Sequence, residues 1–101
     1  MATSKIKSLE YTASARVKCG TSITIPSSAT DCYVVVYVSN TPTVMESRIP
    51  LHIGEAVTGW TGASHSFFNF TLSTARSFTV ATVFWYDADR TSDSYYQVFY
   101  K

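Results

Sequence analysis

Ser8-Leu9-Glu10-Tyr11-Thr12-Ala13-Ser14-Ala15-Arg16-Val17-Lys18-Cys19 is the stretch that decides the fold class. Leu9, Tyr11, Ala13, Ala15, Val17 and Cys19 fall on one side, and Ser8, Glu10, Thr12, Ser14, Arg16 and Lys18 on the other. An apolar period of two specifies β-strand, with one face buried and one in water. Twelve residues are long for one strand, so a bend or a second strand is expected near the small residues at 13–15.

Working outward, Gly20 interrupts the alternation, and Ile23 and Ile25 resume the same parity. Pro26-Ser27-Ser28-Ala29-Thr30-Asp31 is a turn cluster. Cys32-Tyr33-Val34-Val35-Val36-Tyr37-Val38 is β-branched and aromatic on both faces, as expected of a central strand covered on both sides. Ser39-Asn40-Thr41-Pro42 ends it. Arg48–Ile53 predicts a strand with Ile49, Leu51 and Ile53 inward; Pro50 cannot donate to a ladder, so that strand is expected at an edge. Residues 54–66 hold Gly54, Gly59 and Gly62 and read as a long loop. Phe68, Phe70 and Leu72 then alternate with Phe67, Asn69 and Thr71. Phe78–Tyr86 predicts a second long, largely buried strand, Asp87–Asp93 a polar hairpin loop, and Tyr95–Tyr100 a final strand. About seven strands, with turns every eight to twelve residues and no helical periodicity, predict an all-β fold. The expected architecture is an antiparallel β-sandwich, Ig-like or jelly-roll-like, formed by residues 1–101 as a single domain.

Composition narrows the function classes. Only 15% of the residues are charged and the net charge is +1. No Lys/Arg cluster is present, so the electrostatic footprint of a nucleic-acid binder is missing. No apolar run approaches the length of a membrane span. The 14 Ser and 14 Thr predict a neutral, hydroxyl-rich surface. Met1–Lys5 leads into alternation and not into an apolar signal segment, so the polypeptide is expected to be made and kept in the cytoplasm, to be trimmed, or to leave the cell inside a particle. Cys19 and Cys32 would flank a hairpin; with Ile25 opposite Cys32, Cys19 falls opposite Val38, too far for a disulfide, so buried free thiols are expected.

No catalytic constellation emerges. His52 lies on the predicted edge strand with Glu55 just beyond it, and His65 lies between Ser64 and Ser66, without a nucleophile motif. Zinc-type spacing and glycine-rich phosphate loops are absent, and no cofactor is expected. Oxygen side chains at Asp87, Asp89, Thr91 and Asp93 resemble the opening of a calcium loop. Ser92 occupies the position of the turn glycine, Val98 that of the bidentate Glu, and Arg90 sits in the middle, so a solvated hairpin with Asx turns is the expected reading. Asn69-Phe70-Thr71 matches a glycosylation sequon, read as a chance occurrence.

Aromatic residues are the better candidates. Trp60, in the glycine-rich stretch with His65 and Phe67 close behind, is a candidate ligand-binding group for stacking on a sugar or anchoring a protein partner, or else a cap on the end of the sandwich. Trp85, Tyr95 and Phe99 are candidate interface residues, because two-sided aromatic strands in so small a domain need either a second sheet or another subunit to cover them.

The chain also resembles a family of small β domains near the ends of phage and prophage structural proteins, especially tail or head fibres. The resemblance rests on Gly20-Thr21-Ser22-Ile23-Thr24-Ile25-Pro26, Ala29-Thr30-Asp31, Tyr33–Val38, Ile49-Pro50-Leu51 and Leu72-Ser73-Thr74-Ala75-Arg76-Ser77-Phe78, and spans residues 15–86. The 54–66 stretch and the Trp/Tyr-rich end depart from the pattern. What the resemblance implies is a non-enzymatic virion component, made in the host cytoplasm. It would associate with copies of itself or with other virion proteins, and contact a host-surface glycan or protein. A carbohydrate-binding module using Trp60 is the alternative.

Overall fold

The computed structural model describes residues 11–38 and 65–101 with their side chains, together with the backbone of the strands at 44–49 and 56–60. Among these residues the elements are β1 (Thr12–Ala13), β2 (Val17–Lys18), β3 (Ser22–Thr24), β4 (Cys32–Tyr37), β5 (Val44–Ile49), β6 (Ala56–Trp60), β7 (Phe67–Leu72), β8 (Ser77–Trp85), β9 (Ala88–Asp89), a 3-10 turn (Thr91–Asp93) and β10 (Tyr95–Tyr100). They form two antiparallel sheets. In the first, β1 and β2 share one column, followed by β10, β4 and β5. In the second, β3 and β9 share a column, followed by β8, β7 and β6. The predicted all-β architecture is what forms.

Between the sheets lies the main core. Cys32, Val34, Val36 and Val38 enter it from β4 and its end, and Tyr96 and Val98 from β10. Phe68, Phe70, Leu72, Phe78, Val80 and Val83 meet them from β7 and β8. Burying side chains of this size contributes roughly 1.5–3 kcal/mol each, offset by the entropy of ordering them.

The opening alternation is interrupted where small residues predicted a bend. Ala13 pairs with Phe99 and Val17 with Tyr96, so the three intervening residues of the first column, 14–16, oppose two of β10, 97–98. This is a β-bulge, and one extra residue reverses the face of everything beyond it. Val17 and Cys19 consequently pack on the main core, whereas Tyr11 packs on the opposite, outer face against Tyr33 and Val35. Ala13 and Ala15, expected inward, are exposed. Ser14 secures the bulge: its N–H donates to the Val98 carbonyl at 2.8 Å, and its hydroxyl accepts the Val98 N–H at 2.9 Å.

A second bulge explains the two-sided look of β8. Asn69 pairs with Thr82 and Phe70 with Val80, leaving Ala81 extra. Phe78 and Val80 on one parity, then Val83 on the other, all reach the same core.

Several expectations need correction. The segment after Gly20 does not form a hairpin with β4: β3 pairs with β8, Ile23 opposite Phe78, so the Ile25–Cys32 register does not exist. Gly20, at φ 95°, permits the sharp crossing between sheets, and its N–H donates to the Val80 carbonyl at 2.9 Å. Both cysteines are nonetheless free thiols, Cys32 buried and Cys19 partly so. The strand predicted over 48–53 begins earlier, at Val44, and occupies the expected edge beside β4; Pro50 and His52 lie outside the described residues. The stretch read as a loop over 54–66 contains β6, a second-sheet strand paired with β7. Gly59 did not stop it, because pairing along β7 outweighs a local glycine cost of about 1 kcal/mol or less.

Candidate binding end of the second sheet

Trp60 and Phe67 are cross-strand partners on β6 and β7, and Phe67 in turn partners Phe84 on β8. The Phe67 and Phe84 rings stack with centroids 5.1 Å apart and planes within 5°. Their neighbours Phe68 and Val83 point into the core, so this ring pair lies on the outer face of the second sheet. Phe84 also partners Asp89 on β9. One transverse row of register positions therefore reads Asp89, Phe84, Phe67, Trp60.

The chain next to this row is held in unusual conformations. His65, Tyr86 and Asp87 all have positive φ, at 57°, 50° and 65°. Tyr86 and Asp87 form the two-residue connection between Trp85 and its partner Ala88, and positive φ at both marks a type I′ hairpin turn. Such turns favour Asn-Gly, because side chains larger than Asn cost energy in the left-handed region. Three bonds tie the end together. The Asp87 N–H donates to the His65 carbonyl at 3.0 Å, the Tyr86 N–H to the buried Ser66 hydroxyl at 3.0 Å, and His65 Nδ1 lies 3.1 Å from Asp87 Oδ1. The His65 and Asp87 side chains are 67% and 73% exposed, so their pairing contributes at most about 1 kcal/mol. Tyr86 is 59% exposed and meets Trp85 edge-on at 4.9 Å.

All three predicted ligand-binding residues thus reach one end of one sheet, through a strand pairing that the loop reading of Trp60 did not anticipate. Tyr86, Asp87, Phe84 and Asp89 join them. Asp87 carried a readable signal, since Asp tolerates the left-handed region and serves turns; Tyr86 carried none. The Asp–His pair resembles half of a triad, but the adjacent Ser66 is fully buried and accepts the Tyr86 N–H.

The predicted interface residues do not share one face. Phe99 stacks on Tyr33 at 4.9 Å on the outer face of the first sheet, where Tyr11 meets Tyr33 edge-on at 5.0 Å. Tyr95 is on the same face, 39% exposed, toward the other end of β10. Trp85 is partly buried against the main core. The outer cluster is largely closed already: Tyr33 is 4% and Val35 7% exposed. The Arg16 guanidinium lies 3.5 Å from the Tyr37 ring centroid, and the Tyr37 hydroxyl donates to Gln97 Oε1 at 2.8 Å.

In the segment compared above with a calcium loop, Asp89 Oδ1 accepts the Thr91 N–H at 3.0 Å, the Asx turn the sequence predicted. The Thr91 hydroxyl and N–H together hold the Asp89 carboxyl below its ordinary range. Arg90 pairs with Asp93 at 3.1 Å. Among the described residues no group of three or more His, Cys, Asp or Glu side chains converges as a metal site would require, and no helix is long and apolar enough to cross a membrane.

These sheets define an antiparallel two-layer β fold. No protein-family model, curated protein or solved structure matches the chain.

Proposed function

We propose that this chain is a non-enzymatic structural or fibre domain of a virion, of the phage type, that mediates assembly or host-surface binding. The observation that supports it is Tyr86, exposed and held at positive φ at the end of the second sheet where Phe67 and Phe84 stack. Tyr86 projects from a turn that a more relaxed sequence would close with Asn-Gly. Light scattering on the purified chain tests the assembly role, with a stable trimer or larger expected and a clean monomer counting against it. The finer fold type is read as jelly-roll-like: four-column sheets whose first strands pair antiparallel with the last support it over the Ig-like alternative.

A second reading, carbohydrate binding, is favoured by the convergence of Trp60, Phe67 and His65 on one end of the second sheet. Aromatic rings beside hydrogen-bonding side chains suit sugars, which present apolar C–H faces and hydroxyl edges. A glycan array with wild type and Trp60→Ala tests it; binding that disappears in the variant supports the reading, and absent or unchanged binding removes it.

A further inference from the structure

We infer that the outer face of the second sheet is the track for an extended, neutral glycan chain, entered at the Asp89–Phe84–Phe67 row and continued along the strands by rows of hydroxyl and amide side chains. This rests on the carbohydrate reading and adds to it a ligand class and a footprint.

The rows follow from register. Next to the aromatic row, Asn69 partners Thr82; beyond it, Thr71 partners Thr79, and Thr79 partners Ser22. Successive rows on one face lie about 6.7 Å apart along a strand. Three rows therefore extend well past a single sugar ring. The Ser22 and Thr79 hydroxyls are 2.9 Å apart, an exposed pair in which either can donate, so each retains capacity toward an incoming hydroxyl. Ser77 and Thr24 continue the pattern as partners one row further.

Charge selects the ligand class. Among the described residues of these outer-face rows, Asp89 alone is charged, and no Lys or Arg is present. An acidic glycan would find no cation to replace its water and would meet a carboxylate at the aromatic row. A neutral sugar meets an acceptor that can take two hydroxyl donors, next to rings. Because β8 lies between β7 and β9, the face of Phe84 turned away from Phe67 looks toward Asp89.

The test is an immobilised panel of neutral oligosaccharides of graded length, with sialylated and sulfated counterparts, probed with the full chain, Trp60→Ala, Asp89→Asn, and Thr71→Val combined with Thr79→Val. Asn at 89 keeps an oxygen acceptor for the Thr91 N–H, and valine suits exposed strand positions, so the variants keep the fold. Neutral chains should bind with affinity rising with length. The double threonine variant should lose about two- to tenfold on the longer chains, the range of one or two net hydrogen bonds, and nothing on the shortest. Asp89→Asn should weaken neutral binding and relax the exclusion of acidic glycans. Binding confined to acidic glycans, or independent of length and of the threonine pair, overturns this inference while the carbohydrate reading survives. No binding to any glycan removes both.

Discussion

The Tyr96 hydroxyl on β10 reaches across the sandwich and donates to the Phe78 carbonyl on β8 at 2.9 Å, with the Thr21 carbonyl also in hydrogen-bond contact. Tyr96 is fully buried, so this phenol fixes one sheet against the other in a core lined mainly with aliphatic and phenyl groups. Replacing it with Phe keeps the ring and leaves buried carbonyls short of a donor. Tyr96→Phe should cost about 1–3 kcal/mol, read as a lower denaturant midpoint at unchanged slope.

Alkaline pH should unfold the chain from the inside. Burial pushes the Cys19 thiol from 9.0 up to about 11, and burial reinforced by the Asp31 charge does the same for Cys32. Burial pushes the Tyr96 phenol from 10.0 up to about 12. Each is an acid that the unfolded chain releases at lower pH than the folded chain does. The unfolded state therefore binds fewer protons across this window, and stability falls as pH rises. It should be fully retained below pH 9.0, decline through about 11 as the thiols ionise, and decline further toward about 12 with the phenol. Denaturant midpoints against pH measure this, and Cys19→Ala with Cys32→Ala should flatten the earlier part of the fall.

The type I′ turn offers a change of opposite sign. Tyr86→Asn with Asp87→Gly puts the residues this turn favours at φ 50° and 65°. A gain of about 1–2 kcal/mol is expected from relief of left-handed strain, less a small loss from the exposed His65–Asp87 pair. A melting temperature that fails to rise would contradict this account of the turn.

Two phenylalanines on opposite faces of β7, Phe67 and Phe70, separate core from surface. Phe70 is fully enclosed and stacks on Phe78 at 5.0 Å; Phe67, on the other face, is half-buried against Phe84. Phe70→Ala should cost about 3–5 kcal/mol, cavity included. Phe67→Ala should cost only about 0.5–1.5 kcal/mol beyond its smaller area loss, since one ring contact goes. Equal destabilisation in chemical denaturation would mean that the face assignment of β7 is wrong.

Among the strands, those with dense β-branched and aromatic residues were readable in the sequence. Tyr95–Tyr100 is found with its predicted bounds, and Cys32–Tyr37 lacks only one residue of its predicted run. β6 was hidden because two glycines, at 54 and 59, surround an apolar pair too short to show a period. The candidate binding end was legible only as separate residues: Trp60, His65 and Phe67 stood out by type, whereas Tyr86 and Asp89 gained their places through the short β8–β9 hairpin and its contact with Ser66.

Side-chain rhythm and turn chemistry, both local properties, determined that the polypeptide would be strands bent into layers. Which side of a layer each residue faces was decided by the tertiary structure. The extra residues between Ala13 and Val17 and at Ala81 each reverse a face, and a reversal is defined only by the partner strand opposite. Partner choice was likewise non-local. β3 pairs with β8 and not with the nearby β4, which places Ile23 and Ile25 on the core that holds Phe70 and Phe78.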